Sequence, residues 1–129
     1  MLRNEKSNIS KWKTMSFEDL EKKYFGVNHA ELGAEIARRW RLADPIIAAI
    51  NFHHDPKLAK EHSHIASAVH IADAAMMMMG IGVGIDGLQY ELDEYAVNLM
   101  KFNMDKMDHL ITRISDFINE AEMFIGLKA

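Results

Sequence analysis

The sequence predicts an all-α protein, a helical bundle of about five to six helices. Apolar residues recur at helical spacing along most of the chain, and polar residues that cap helices precede several of these stretches. Only two prolines occur in 129 residues, and the alternating β-branched patterns typical of strands are few. We expect a single helical domain over residues 16–129, preceded by an N-terminal arm over residues 1–15, which shows no clear period.

The ends of the first two helices are marked by capping residues. Ser16, followed by acidic residues, predicts a helix that continues to about Tyr24 and ends at Gly26. Asn28, with a glutamate three residues later, predicts a second helix, which runs to Trp40.

The second helix carries an apolar stripe that we expect to face the core. Leu32, Ile36 and Trp40 follow one another at intervals of four residues, so they share one side of the helix. Gly33 lies within the same helix, where it costs roughly 1 kcal/mol relative to alanine. A close crossing with another helix would explain the glycine.

Two further helices are predicted from their start and stop signals. Asp44 caps the third helix, with a proline at the first helical position, and Pro56 stops it because the residue before a proline is forced out of the helical region. Residues 57–62 are predicted to form a polar connection. Ser63 then caps a fourth helix that runs to about Met79.

The remainder of the chain is predicted to be a connection and two more helices. Residues 80–87 are glycine-rich but follow a helix and lack a subsequent lysine, so we interpret them as a flexible connection and not a phosphate-binding loop. The two helices cover about residues 91–102 and 105–125. Four consecutive methionines, at positions 76–79, cover every side of their helix and are a candidate dimer surface.

Composition excludes several classes of function. The net charge of −4 gives no basic footprint for nucleic acid. No apolar run reaches the ~18–20 residues needed to cross a membrane, and the N-terminus has no apolar segment typical of a secretory signal. The chain has no cysteine, which excludes disulfides and thiolate chemistry and is compatible with a reducing compartment. We therefore expect a cytoplasmic protein.

Histidines provide the candidate functional site. His53 and His54 are adjacent in the last turn of a predicted helix, while His29 and Asp73 lie on other helices that could face them. Together these residues offer three nitrogens and one oxygen, enough for one divalent ion such as Fe, Mn, Ni or Zn. The remaining isolated histidines are interpreted as surface or interior residues, among them His62, His64 and His109.

Three sequence segments resemble a known family. They are EKKYFGVNHAELGAEIARRWRL (residues 21–42), IIAAINFHHDP (residues 46–56) and HIADA (residues 70–74). They are similar to the C-terminal half of the HDOD domain, over about Glu21 to Met79. HDOD domains are a regulatory branch of the HD superfamily of metal-dependent phosphohydrolases, so the resemblance implies an all-α, HD-superfamily-like bundle.

The resemblance also assigns roles to the four candidate ligands. By correspondence, His29 matches a later metal-binding histidine of the catalytic relatives, His53 and His54 match their histidine pair, and Asp73 matches their final aspartate. The early histidine and the His-Asp doublet that bridges two metals have no counterpart, since no histidine precedes His29. We expect a domain that lacks its first half and exposes an apolar face, which a second copy or a partner would cover.

Two main hypotheses follow for function. The first is an HDOD-like, non-catalytic regulatory or protein-interaction module in signal transduction, acting as a homodimer or with a signalling partner protein, with either a divalent metal or no cofactor. The second is a metal-dependent phosphohydrolase with a reduced HD-type site. A third interpretation is that the histidines are only core and helix-end residues.

Overall fold

The computed structural model describes residues 15–81 and 91–126, and within these residues the protein is all-α with no strand. Six α-helices and one 3-10 segment follow one another in the described residues: α1 (Phe17–Phe25), α2 (His29–Arg39), α3 (Asp44–Phe52), the 3-10 segment (Pro56–His62), α4 (Ser63–Met78), α5 (Glu94–Leu99) and α6 (Met104–Phe124). The predicted fold class is confirmed. Residues 1–14 of the expected arm and most of the glycine-rich connection lie outside the described residues, and the single-domain division stays a prediction.

Capping at the first two helices follows the sequence pattern. The Ser16 hydroxyl accepts a hydrogen bond from the Asp19 backbone N–H at 3.2 Å. Asn28 and Glu31 form a capping box, in which the Asn28 side chain accepts from the Glu31 N–H at 2.8 Å. Gly26 ends α1 with a φ of 77°, a conformation that glycine adopts at no steric cost.

The starts of α3 and α4 differ from expectation by one residue. Asp44 is the first helical residue and not the cap, because Ala43 occupies the N-cap position and makes no side-chain hydrogen bond. The predicted polar connection lies in the 3-10 segment, with Pro56 in its first turn, where the missing N–H is not needed. Ser63 is likewise the first residue of α4, and His62 precedes it at the cap position.

The crossing of α2 and α3 is close, as Gly33 indicates. A β-carbon at position 33 would lie 2.9 Å from Cγ2 of Ile50, nearer than ordinary van der Waals contact. The buried residues of α2 are all small, namely Ala30, Ala34 and Ala37. Small side chains on this face allow the two helix backbones to approach each other.

The expected inner stripe of α2 is wrong. Leu32, Ile36 and Trp40 are 51%, 40% and 73% exposed, respectively. The helix instead packs through its alanine face, which lies on another side of the same helix. The large apolar residues therefore form an exposed stripe, which we call the α2 stripe.

The main apolar core joins α4 to the first half of α6. Ile71, Ala75 and Met107 are almost completely buried there, and Met107 has no exposed surface. The side chains packed around this cluster are Leu92, Met100, Phe102, Leu110, Ile111 and Ile114. Beyond Ile114, four large apolar residues at the end of α6 are exposed: Phe117, Met123, Phe124 and Ile125.

Within the residues that the structure describes, no helix combines the length and the apolar character required to cross a bilayer.

Candidate metal centre

The α2–α3 hairpin brings three histidines to one end of the helix pair. His29 is the first residue of α2, while His53 caps the C-terminus of α3 and His54 follows it. Because α3 returns alongside α2, the end of α3 lies beside the start of α2. The imidazole centroids are separated by 4.0 Å for His53 and His54, 4.9 Å for His29 and His54, and 5.4 Å for His29 and His53.

The Nε2 atoms of this histidine triad (His29, His53 and His54) point toward one another. Nε2 of His29 lies 2.8 Å from Nε2 of His54 and 3.4 Å from Nε2 of His53. One ligand atom from each residue lies within 4.8 Å of the other two. Two nitrogens bound to the same tetrahedral zinc ion would be about 3.3 Å apart at ordinary Zn–N distances. The observed spacing is therefore close to that of a shared metal ion.

The opposite nitrogen of each ring has an acceptor of its own. His53 Nδ1 lies 2.8 Å from the Ile50 carbonyl oxygen, which can only accept, so this nitrogen carries the proton. His29 Nδ1 lies 2.6 Å from Glu21, and His54 Nδ1 lies 2.8 Å from Glu18. With carboxylates as acceptors, both of these Nδ1 atoms donate.

This protonation pattern leaves the three Nε2 lone pairs directed into one small space. Lone pairs of neutral imidazoles repel one another unless a cation or a proton lies between them. Histidines bound to a metal through one nitrogen almost always donate from the other to a carboxylate or carbonyl group. The two carboxylates and the carbonyl in this structure match that arrangement for all three rings.

The pKa values of one supporting glutamate, Glu18, and of one histidine of the triad, His53, are both lowered by their surroundings. The hydrogen bond with His54 lowers the pKa of Glu18 from its ordinary value of 4.5 to about 2, so this acceptor is ionised at neutral pH. Burial, followed by the charge of His54, lowers the pKa of His53 below its ordinary value of 6.5. A neutral imidazole is the form that binds metals.

The fourth predicted ligand, Asp73, is not part of the histidine triad. It is half-buried on α4, and its negative charge acts on His53 by raising the pKa of that imidazole slightly against the effect of burial. The group of convergent ligand atoms contains only the three imidazoles among the described residues. Three of the four predicted residues are thus brought together, and a metal-binding role for Asp73 stays a prediction.

Sequence reasoning missed three residues that support the triad. Glu18 and Glu21 are three positions apart and therefore share one face of α1, which is the only sequence signal that links them. His70 is buried, with its Nδ1 2.8 Å from the His53 carbonyl oxygen. Its Nε2 accepts a hydrogen bond from the Asp93 N–H at 2.8 Å. This histidine fixes the end of α3 against α4 and the start of α5.

An open cavity of about 770 Å³ adjoins the triad beside His54. Residues 15–19 and Lys22 line it together with residues from α2, α3 and the 3-10 segment. Its charged lining consists of five carboxylate residues and one lysine: Glu18, Asp19, Glu31, Asp55, Glu91 and Lys22. The lysine is paired with Glu31 at 2.7 Å, so the cavity is acidic overall.

Residues 3–56 match the family model described as the HDOD domain. The HDOD resemblance is confirmed. The matched segment includes all three histidines of the triad and both glutamates that support them, and it ends before Asp73. That the HDOD-like sequence represents the C-terminal half of the family's domain stays a prediction.

A similar stretch occurs in a much larger protein of Treponema pallidum (strain Nichols), described as uncharacterized. It is 39% identical to this chain over 54 residues, which are 41% of this chain and 10% of that protein. The chain therefore matches only about a tenth of that relative's length. No solved structure matches the chain significantly.

Proposed function

We propose that this chain is an HDOD-type regulatory and interaction module in signal transduction, whose histidine triad holds one divalent cation without hydrolase activity. The observation that carries the proposal is the convergence of three Nε2 atoms, each on a ring whose Nδ1 already has an acceptor. Such an arrangement favours a cation and orients every ring toward it.

The donor set fits a single borderline-soft metal ion. Neutral imidazoles suit Zn, Fe and Ni better than Mg or Ca, which prefer oxygen ligands. His29, His53 and His54 would hold the ion. We propose Asp73 as a further ligand. A cation with an open coordination position would lower the pKa of a bound water.

One feature favours regulation over hydrolysis. The cavity next to the triad is lined by five carboxylate residues, and Lys22, its one lysine, is paired with Glu31. A phosphate ester carries negative charge and would be repelled from such a cavity.

Metal binding is tested by titrating the metal-free protein with Zn²⁺ in a calorimeter. Structural zinc sites contribute roughly 10–16 kcal/mol through four ligands, which is about 2.5–4 kcal/mol per ligand. We therefore expect His53→Ala to weaken zinc binding by about 100-fold or more. His109→Ala, at an exposed position of α6, is the matched control and should bind like the wild type. Equal affinities for all three proteins would overturn the metal site.

The absence of hydrolase activity is tested separately. Nucleotides and cyclic dinucleotides are incubated with the protein in the presence of Mn²⁺, Fe²⁺ or Ni²⁺, and no turnover is expected. Turnover that disappears in His53→Ala would establish the second hypothesis, a reduced metal-dependent phosphohydrolase. One observation favours that alternative: the His29 side chain is 41% exposed, which leaves room for a water or substrate at the triad.

We further propose that the module forms a homodimer in which the α2 stripe of one copy packs against the distal half of α6 of the other. Both surfaces are apolar and exposed: Trp40 is 73% exposed on α2, and Phe117 and Phe124 are 70% and 93% exposed on α6. Two apolar patches of this kind are uncommon on a monomer. In this dimer the α2 stripe of each copy packs on the distal half of α6 of the other copy. The two copies are then related by a two-fold axis, and both patches are covered in each.

Charges beside the two patches support a second copy as the occupant. Arg38, Arg39 and Arg41 are exposed at the end of α2, next to Trp40. Asp116 and Glu120 are exposed on the distal half of α6. Opposite charges at the rim of an apolar contact favour association and fix its orientation.

Analytical ultracentrifugation tests the dimer. The wild type should sediment as a dimer, and Trp40→Ser or Phe124→Ser should shift it to monomer because large aromatic residues dominate interface energies. Met78→Ser is the matched control, since Met78 is 54% exposed within the methionine run. If Met78→Ser alone dissociated the dimer, the interface would lie at the methionine run. If the wild type sedimented as a monomer, the proposed dimer would be wrong.

A further inference from the structure

Helix α1 is attached to the rest of the protein without burying a single residue. Three of its side chains make polar contacts with the histidine triad or its immediate surroundings. Glu21 accepts hydrogen bonds from both Nδ1 and the backbone N–H of His29, at 2.6 Å and 3.0 Å. Glu18 contacts Nδ1 of His54 at 2.8 Å, and Lys22 pairs with Glu31 at 2.7 Å.

A helix of nine residues does not hold its structure on its own. Isolated helices shorter than about 12–15 residues are marginal in water, and most helical stability comes from packing of an apolar face. Because α1 packs no fully buried side chain, its polar contacts contribute much of what holds it in place. Two of these contacts, made by Glu18 and Glu21, go directly to histidines of the triad.

Both contacts depend on which ring nitrogen carries the proton. With a cation at the Nε2 atoms, the rings of His29 and His54 must carry their protons on Nδ1, where they donate to Glu21 and Glu18. A bound cation also polarises each ring, which strengthens a hydrogen bond to a carboxylate. Without the cation, the rings lose this polarisation, and their hydrogen bonds to Glu18 and Glu21 weaken.

We infer that a divalent cation at the histidine triad fastens α1 to the α2–α3 hairpin through Glu18 and Glu21, and that the acidic cavity is assembled only when α1 is fastened. This inference rests on the proposed metal site. Four residues of α1 line the cavity, so releasing α1 would open it. Metal occupancy thereby controls whether the module presents a shaped binding surface or an open hairpin.

The effect of the two glutamates on metal affinity must equal the effect of the metal on the docking of α1, because the two equilibria are linked. Partners that support metal-binding histidines typically contribute 10–100-fold to metal affinity. If Glu18 and Glu21 strengthen metal binding by that factor, then the metal must favour the docked position of α1 by the same factor.

Hydrogen–deuterium exchange of the full chain, read by mass spectrometry, tests the inference. Saturating Zn²⁺ should slow exchange in residues 17–25 by about 10–100-fold relative to protein in chelator. Exchange in α6 should not change. The double variant Glu18→Gln, Glu21→Gln should still bind zinc, with about 10–100-fold lower affinity, and should show no zinc-dependent protection of α1.

The matched control is Asp19→Asn, because Asp19 lies on α1 and lines the cavity without contacting a histidine of the triad. It should retain wild-type protection and zinc affinity. Zinc that binds the wild type without changing exchange in α1 would overturn this inference and leave the metal site standing. A wild type that does not bind zinc in the calorimeter would overturn the metal site itself, and this inference with it.

Discussion

Replacing Gly33 with alanine should loosen the helix crossing that positions the triad. Alanine gains roughly 1 kcal/mol in helix propensity over glycine. However, its β-carbon would lie 2.9 Å from Cγ2 of Ile50, so the Ile50 side chain or the helices must shift by about 0.5 Å to reach the shortest ordinary contact of 3.4 Å. Overpacking of this kind costs about 1–3 kcal/mol. We expect a net loss of stability of about 1 kcal/mol, with the packing effect outweighing the propensity.

Urea denaturation of a double-mutant cycle measures this packing effect directly. Ile50→Ala removes the atom that the new β-carbon would meet, so the Gly33→Ala, Ile50→Ala pair should be less destabilised than the sum of its members, by about 1–2 kcal/mol. Ile46→Ala, on the same helix but not near position 33, should combine additively with Gly33→Ala. If Gly33→Ala stabilises the protein and shows no coupling to Ile50, the close crossing is wrong.

The same crossing holds His29 against His53, so Gly33→Ala should also weaken zinc binding measurably. Gly33 lies one helical turn after His29, and a displacement of α2 from α3 carries the His29 imidazole with it. The Ile50→Ala partner should restore part of the zinc affinity along with the stability. A zinc affinity unchanged in Gly33→Ala would show that the triad adjusts independently of this packing contact.

Two other changes follow from burial and charge. Met107→Ala should destabilise the protein by about 2–5 kcal/mol, because Met107 is fully buried in the core and leaves a cavity; a change of less than about 1 kcal/mol in urea denaturation would place the core elsewhere. The lowered pKa of Glu18, about 2 against an ordinary 4.5, means that its contribution to stability is complete above pH 4.5 and is lost as the pH falls toward 2. The difference in urea midpoint between wild type and Glu18→Gln should therefore shrink over that range, and a constant difference would refute the assignment.

The face through which α2 packs could not be predicted from its large apolar residues. Leu32, Ile36 and Trp40 have a helical period, but a period shows only that residues share a side, not which side meets a neighbour. The alanines form a second stripe, and Gly33 was the residue that pointed to a close crossing. The structure shows that closeness of approach, and not side-chain size, selected the buried face.

Local capping rules were reliable where a side chain could reach the helix end. Ser16 and Asn28 accept hydrogen bonds from backbone N–H groups three residues later, as their sequence context predicts. Asp44 and Ser63 were placed one residue too far outside their helices, because the helices begin at these residues. Element boundaries commonly shift by a residue or two for this reason.

The histidines could be predicted, and their supporting groups could not. His53 and His54 are adjacent at a helix end, and His29 marks the start of another helix, so a hairpin of the two helices unites them. The roles of Glu18 and Glu21 depend on where α1 lies relative to that hairpin, which no local pattern contains. The same dependence on tertiary placement left Asp73 outside the triad despite its sequence resemblance.

X-ray absorption spectroscopy of the zinc-loaded protein tests the metal site most directly. The scattering around zinc should show three imidazole ligands in the wild type and two in His53→Ala. His109→Ala should give the wild-type spectrum. A wild-type spectrum without imidazole scattering, or one that does not change in His53→Ala, would contradict the assignment of the metal to the triad.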